Sequence, residues 1–228
     1  MPFQIDSFDA YLKAQKESQS DPELFWSGIA KHFEWQKPFT EVLSGEMRDG
    51  SVRWFADGQI NITENALDRH LKERGEQIAL QWEPNDPSAT SRSFTYRELH
   101  EAVSQFGNAL RSLGVKKGER IVLYMPMVPE LAIAVLACAR IGAIHSVVFA
   151  GFSAQALSDR IEDAQAAMVI TADEGMRGAK TVPLKSTVDE ALKENTSVRN
   201  VIVKRVTSGK CTMVQKRDVW WEDIIENY

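Results

Sequence analysis

Residues Ile141–Lys180 read IGAIHSVVFAGFSAQALSDRIEDAQAAMVITADEGMRGAK, and the order of turns and apolar runs in them decides the fold. A β-branched run at Val147 and Val148 enters the small-residue turn Phe149-Ala150-Gly151-Phe152-Ser153. An amphipathic helix from Ser153 to about Ala164 and a second apolar run, Met168 to Thr171, come next. Strand, helix and strand in succession predict a βαβ unit with a right-handed crossover and parallel strands. The turns at the C-terminal ends of such strands are where open α/β sheets hold ligands.

The second turn, Glu174-Gly175-Met176-Arg177-Gly178-Ala179-Lys180, gathers two glycines and two cations. Arginine offers a planar fork that fits phosphate bidentately, and lysine adds a mobile charge. Gly175 and Gly178 are free to take positive φ and turn backbone N–H groups inward as an anion nest. Spacing alone nevertheless favours a solvated loop with two surface cations, since no Walker-type or GxGxxG spacing is present. Gly151 is equally open, either to close approach of a ligand or to a tight strand-to-helix turn, with the turn favoured.

The same alternation extends in both directions. Upstream, Ile78–Trp82 and Arg92–Phe94 read as a small hairpin about the turn NDPSATS. Thr95 and Glu98 form a capping box for a helix whose Leu99, Val103, Phe106, Leu110 and Leu113 make one apolar stripe, with Gly114 ending it. Arg120–Met125 has the continuous apolar character of a strand buried on both faces. A helix started by Pro129 then leads to a strand at His145–Phe149. Downstream, a helix from about Pro183 to Asn195, a strand at Asn200–Lys204, a hairpin turn at Thr207-Ser208-Gly209-Lys210 and an amphipathic stretch capped by Asp218 complete the pattern. The expected fold is therefore α/β, a mostly parallel sheet with flanking helices.

Residues 1–62 differ: they are rich in aromatics and show no strand alternation. Asp21-Pro22 starts a helix carrying Phe25, Trp26, Ile29, Ala30 and Phe33 on one face. Pro38, Gly45, Gly50 and Gly58 break up the stretch after it, so Trp35, Phe39, Trp54 and Phe55 are expected to anchor a helical and irregular segment wrapped over a larger body. Thr63 is expected to cap a short helix that stops at Gly75.

Composition narrows the function classes. The 228 residues are 43% apolar with a net charge of −5, an ordinary globular balance without the basic footprint of a nucleic-acid binder. Arg199, Lys204, Arg205, Lys210, Lys216 and Arg217 cluster late in the chain and read as a solvated hairpin face. The two cysteines, Cys138 and Cys211, lie outside any metal spacing and fit a reducing compartment, Cys138 as core and Cys211 as a free thiol. The N-terminal residues lack a secretory pattern, and the apolar run Leu131–Phe152 is interrupted by Arg140, Gly142 and His145, so neither secretion nor a membrane span is expected. The expected location is the cytoplasm. His145 reads as a core histidine, and the Asp68-Arg69-His70 run yields no catalytic pair because its side chains diverge on a helix.

Nearly the whole chain resembles the N-terminal part of the AMP-forming acetyl-CoA synthetases of the acyl-adenylate-forming family. The resemblance runs through FWSGIAKHFEWQKPF, VRWFADGQINITENALDRHL, RSFTYREL, VLYMPMVPELAIAVLACARIGAIHSVVFAGFSAQALSDRI, MVITADEGMRGAK and VPLK. The aromatic N-terminal segment points to the acetyl- and propionyl-CoA branch. The resemblance implies an N-terminal segment at 1–62 and the first part of the AMP-binding domain at 63–228. It further implies that Arg177-Gly178-Ala179-Lys180 matches the loop that takes the 3′-phosphate ADP end of CoA, and that Phe149-Ala150-Gly151 matches the turn lining the pantetheine path. Each run has alanine where the family pattern has one of its glycines. The implied substrates are CoA, acetate and ATP, with Mg²⁺ serving the full-length family. The family's Thr/Ser/Gly-rich phosphate loop, ribose-binding Asp and Arg and catalytic lysine have no match here. The expectation is therefore a fragment without adenylation, exposing surface for self-association. Alternatives are a stand-alone CoA- or nucleotide-binding module and a piece of a propionyl-CoA synthetase.

Overall fold

The computed structural model describes residues 4–194, 197–226 and 228. The chain divides between Asn65 and Ala66 into two compact units.

In the first unit, Ser7 caps α1 (Phe8–Ser20), a helix the sequence pattern does not reveal because none of its residues is buried. Asp21 accepts the Leu24 N–H at 2.9 Å and caps α2 (Pro22–Ala30), with Pro22 at the first helical position as predicted. The broken segment after α2 contains a two-residue antiparallel pair, β1 (Leu43–Ser44) with β2 (Arg53–Trp54), and an aromatic knot. Trp35, Phe39 and Phe55 pack on one another edge-on or tilted, with centroids 4.7–5.5 Å apart. Gly58 is required there, since a Cβ would stand 2.6 Å from the Trp35 ring. The next helix, α3 (Ile62–Ala66), is capped by Asn61, which accepts the Thr63 N–H at 2.9 Å. Thr63, the expected cap, instead lies buried inside it.

The second unit continues through a 3₁₀ turn into α4 (Leu71–Arg74) and the hairpin β3 (Ile78–Trp82) with β4 (Arg92–Thr95). Gly75 keeps a right-handed conformation, so it does not form the expected left-handed stop. The remaining elements are α5 (Tyr96–Ser112), β5 (Arg120–Tyr124), α6 (Pro129–Ile141), β6 (Ile144–Val147), α7 (Ala154–Asp163), β7 (Met168–Ala172), β8 (Gly175–Arg177), β9 (Lys180–Val182), α8 (Leu184–Ala191), β10 (Asn200–Lys204), β11 (Asp218–Trp220) and α9 (Trp221–Ile225). Both halves of the Thr95–Glu98 capping box are made. The predicted end of α8, Asn195, lies outside the described residues.

Among the described residues the central sheet joins five parallel strands in the order β11-β10-β7-β5-β6. Strand alternation divides its side chains between two cores. Ile121, Leu123, Met168, Ile170 and Ile202 meet α5 and α6 on one face, where Phe106 stacks on Trp221 with centroids 3.6 Å apart. Val122, Tyr124, Val169, Val201 and Val203 meet α7 and α8 on the other. The chain moves from β5 to β6 in one direction, then returns across β5 to β7 and continues outward. The order therefore reverses between β5 and β7, the switch point at which doubly wound sheets open a ligand crevice at the strands' C-terminal ends.

Position in the sheet corrects several expectations. β6 is an edge strand: Ile144 is 55% and Val147 54% exposed, and His145 is half-buried at that edge instead of sitting in a core. The predicted hairpin at Thr207–Lys210 does not form, because β11 pairs parallel to β10. Asp218 does not cap a helix but starts β11, with its side chain fully buried against Lys185. Lys185 is itself inaccessible and places Nζ 2.7 Å from Asp189, 2.8 Å from Asp218 and 2.8 Å from the Thr212 carbonyl. The late basic cluster is largely paired instead of solvated: Arg199 with Glu119, Lys204 and Arg205 with Glu222, Arg217 with Asp189 and Asp218. No helix among the described residues is long and apolar enough to cross a membrane.

Candidate functional site

Two connections rise from the strands that flank β5. One leaves β6, the other β7, and two strand spacings put their origins about 10 Å apart.

The connection after β7 is not the open loop that its glycines suggest. Asp173, 1% exposed, fixes the exit: its Oδ1 accepts N–H bonds from Glu174 at 2.7 Å, Val206 at 2.8 Å and Thr207 at 3.4 Å. Gly175 lacks positive φ and is buried, and a Cβ on it would lie 3.2 Å from both Pro126 and Leu184. Close packing, not a nest, explains this glycine. From there β8 turns back into β9 through Gly178 and Ala179, with Arg177 paired to Lys180, Met176 to Thr181 and Gly175 to Val182. Gly178 has φ +59 while Ala179 stays out of the left-handed region, the pattern of a hairpin turn whose first central residue is glycine. No atom crowds Gly178 within 4 Å, so the dihedral alone demands glycine.

Residues directly opposite in an antiparallel pair project to the same side. The hairpin therefore holds the Arg177 and Lys180 side chains together, both exposed, and neither has a carboxylate partner among the described residues. Like charges directly opposite each other destabilise the pair. An anion between them reverses the sign of the interaction and gains a planar fork and an ammonium as donors.

The connection after β6 is shaped from below. The Tyr124 ring is buried at the end of β5, and its hydroxyl donates to the Phe152 carbonyl at 2.9 Å and the Ala150 carbonyl at 3.3 Å. Burial pushes that phenol above its ordinary pKa, so it stays a donor across the neutral range. Ser153 accepts the Ala156 N–H and caps α7. Phe149 is 62% exposed and packs edge-on to Phe152, over which Arg160 sits at 4.7 Å. Gly151 has an internal reason for being glycine, because a Cβ would stand 2.5 Å from the Phe149 ring. The turn thus presents an apolar, aromatic surface beside the cationic hairpin.

Tyr124 and Asp173 shape the two connections, yet neither is conspicuous in the sequence. Both sit at the ends of apolar runs, and their roles depend on contacts with distant segments. A groove along α7 and α8 is lined by Glu162, Glu190 and Glu194 against Lys193, a net negative lining that is a poor host for phosphate. No group of three or more His, Cys, Asp or Glu residues that could hold a metal ion occurs among the described residues.

Comparison with known proteins gives the site its context. The family described as AMP-binding enzyme matches residues 67–224, and that described as acetyl-coenzyme A synthetase N-terminus matches residues 11–66. An acetyl-coenzyme A synthetase of Novosphingobium aromaticivorans is 50% identical over 213 residues, 92% of this chain and 33% of that protein. Another, from Syntrophobacter fumaroxidans, is 50% identical over 220 residues, 96% of this chain and 34% of its own length. The solved structure of an acetoacetyl-CoA synthetase from Streptomyces lividans superposes with a TM-score of 0.83 at 25% identity, covering 92% of this chain and 32% of that one. The chain spans about a third of the length of the curated relatives it matches.

Proposed function

Because the chain belongs to the AMP-binding enzyme family, we propose that it supplies the CoA-facing N-terminal part of an acetate–CoA ligase, working in the cytoplasm. In the parent reaction a carboxylate oxygen of acetate attacks the α-phosphate of ATP, releasing pyrophosphate and forming acetyl-adenylate. The CoA thiol then attacks the acetyl carbonyl, and AMP leaves as acetyl-CoA forms.

The observation that carries this proposal is the pairing of Arg177 with Lys180 at the tip of a hairpin beside the switch point. The two cations take the 3′-phosphate end of CoA, and Gly178 and Ala179 allow the phosphate close to the turn. Phe149, Ala150 and Gly151 line the path of the pantetheine on the far side of β5. The acetyl-coenzyme A synthetases of similar sequence support the acyl substrate.

The chain's share of the reaction is recognition of CoA, and the 228 residues alone do not adenylate acetate. Acetate-dependent exchange of labelled pyrophosphate into ATP tests this: the purified chain is expected to give background exchange, and exchange at enzyme-like rates would refute it.

A further inference from the structure

The tip of the basic hairpin is held from outside by a residue far away in sequence. Asn85 Nδ2 donates to the Gly178 carbonyl oxygen at 2.9 Å, across 93 residues. Asn85 lies in the loop between β3 and β4, whose sequence EPNDPSATS places prolines at 84 and 87 around it. Proline fixes its own φ and biases the preceding residue toward extended backbone, so Glu83, Pro84, Asp86 and Pro87, the residues on either side of Asn85, have little freedom. Asp86 tightens the loop further by accepting the Ser88 N–H at 2.9 Å and hydroxyl at 2.8 Å. The hairpin carrying the loop is docked on the same rim of the sheet at two more points. Trp82 Nε1 donates to the Met127 carbonyl at 2.7 Å, and Arg92 pairs with the nearly buried Glu130 at 3.0 Å.

We propose that Asn85 is a positioning residue for the anion site, holding the Gly178–Ala179 turn so that Arg177 and Lys180 point at one phosphate. The inference rests on the assignment of that pair to a phosphate. A two-residue turn between three-residue strands has little stability of its own, and the Arg177–Lys180 repulsion acts to open it. A donor on the Gly178 carbonyl opposes that opening without occupying either cation. Amide is suited to the task, because it donates without bringing a charge that competes with the ligand. Asn85→Asp cannot donate to the carbonyl and sets a carboxylate beside the two cations.

The test compares the 228-residue chain with its Asn85→Ala, Asn85→Asp and Arg177→Ala variants. NMR titration with adenosine 3′,5′-bisphosphate and with adenosine 5′-monophosphate measures the preference for the extra phosphate, and ¹⁵N order parameters report on residues 177–180. Wild type is expected to prefer the bisphosphate. Asn85→Ala should reduce that preference about three- to ten-fold, lower the order parameters at the turn, and leave those of β7 and the unfolding midpoint unchanged. Asn85→Asp should lose more, and Arg177→Ala should abolish the preference. An Asn85→Ala protein with wild-type preference and wild-type order at the turn overturns the positioning role while leaving the phosphate assignment intact. A wild-type chain with no preference, unaltered by Arg177→Ala, overturns the phosphate assignment and the inference with it.

Discussion

Arg177 and Lys180 stand directly opposite each other across the β8–β9 hairpin, two cations in one register pair with no carboxylate between them among the described residues. The basic side chains late in the chain are mostly committed: Arg199 to Glu119, Lys204 and Arg205 to Glu222, Arg217 to Asp189 and Asp218. The contrast separates cations that hold the fold from cations left for a ligand.

The pair implies a trade between stability and recognition. Lys180→Glu converts the repulsive pair into a cross-strand ion pair, which favours the hairpin by roughly 0.2–1 kcal/mol relative to the like-charge pair. Thermal unfolding should give a midpoint equal to wild type or up to a few degrees higher, while affinity for phosphate-bearing ligands falls. A destabilised variant with unchanged affinity would mean that the pair serves the fold.

The inaccessible Lys185 behaves in the opposite way. Its ammonium serves two carboxylates and a carbonyl, and Lys185→Met leaves Asp218 buried without that partner. Removing one partner of a buried ion pair costs about 3–5 kcal/mol, so urea unfolding of this variant should show a large loss of stability. A cost below about 1 kcal/mol would show that Arg217 alone satisfies Asp218.

Acid should unfold the protein through its paired carboxylates. The hydrogen bond from Arg140 holds Asp68 below its ordinary pKa, and that from Arg199 does the same for Glu119. For Asp218 and Glu222, burial pushes upward, but hydrogen bonds from Arg217 and Lys185, and from Lys204, outweigh it and leave both lowered. Each group has a folded pKa below its unfolded one. Their stabilisation is therefore fully present above the unfolded values near 4 and is lost as pH falls through the folded values. The urea midpoint should be flat from pH 7 to about 5 and fall below about 4; a decline beginning near pH 6 would point to other groups.

Burial pushes the Cys138 thiol up to about 12, and burial also raises the half-buried Cys211. Thiolate is the reactive form. A thiol reagent at pH 8 should modify one cysteine slowly in the native chain and the second only after denaturation. Rapid modification of both would contradict the packing of α6.

How much is legible in the sequence depends on element length and position. The seventeen-residue α5 and the β5 run are readable because their periods repeat and their caps have recognisable chemistry. The β8–β9 hairpin is not, since strands of three residues cannot display a period, and its glycines suggest a loop. β6 reads as buried because its residues are apolar; that it lies at an edge is a property of sheet order, not of composition. β11 reads as a helix start because Asp218 resembles a cap, whereas its partners Lys185 and Arg217 meet it only after α8 and β10 are in place. For the site, Arg177 and Lys180 are visible as residue types, but their register pairing and the bond from Asn85 exist only in the folded chain.

The most direct measurement is calorimetric binding of CoA and 3′-dephospho-CoA to this chain and to its Arg177→Ala variant. CoA is expected to bind more tightly by about 1.5 kcal/mol, roughly ten-fold, and Arg177→Ala to remove the difference. Equal affinities of the wild-type chain for the two ligands would contradict the assignment of Arg177 and Lys180 to the 3′-phosphate.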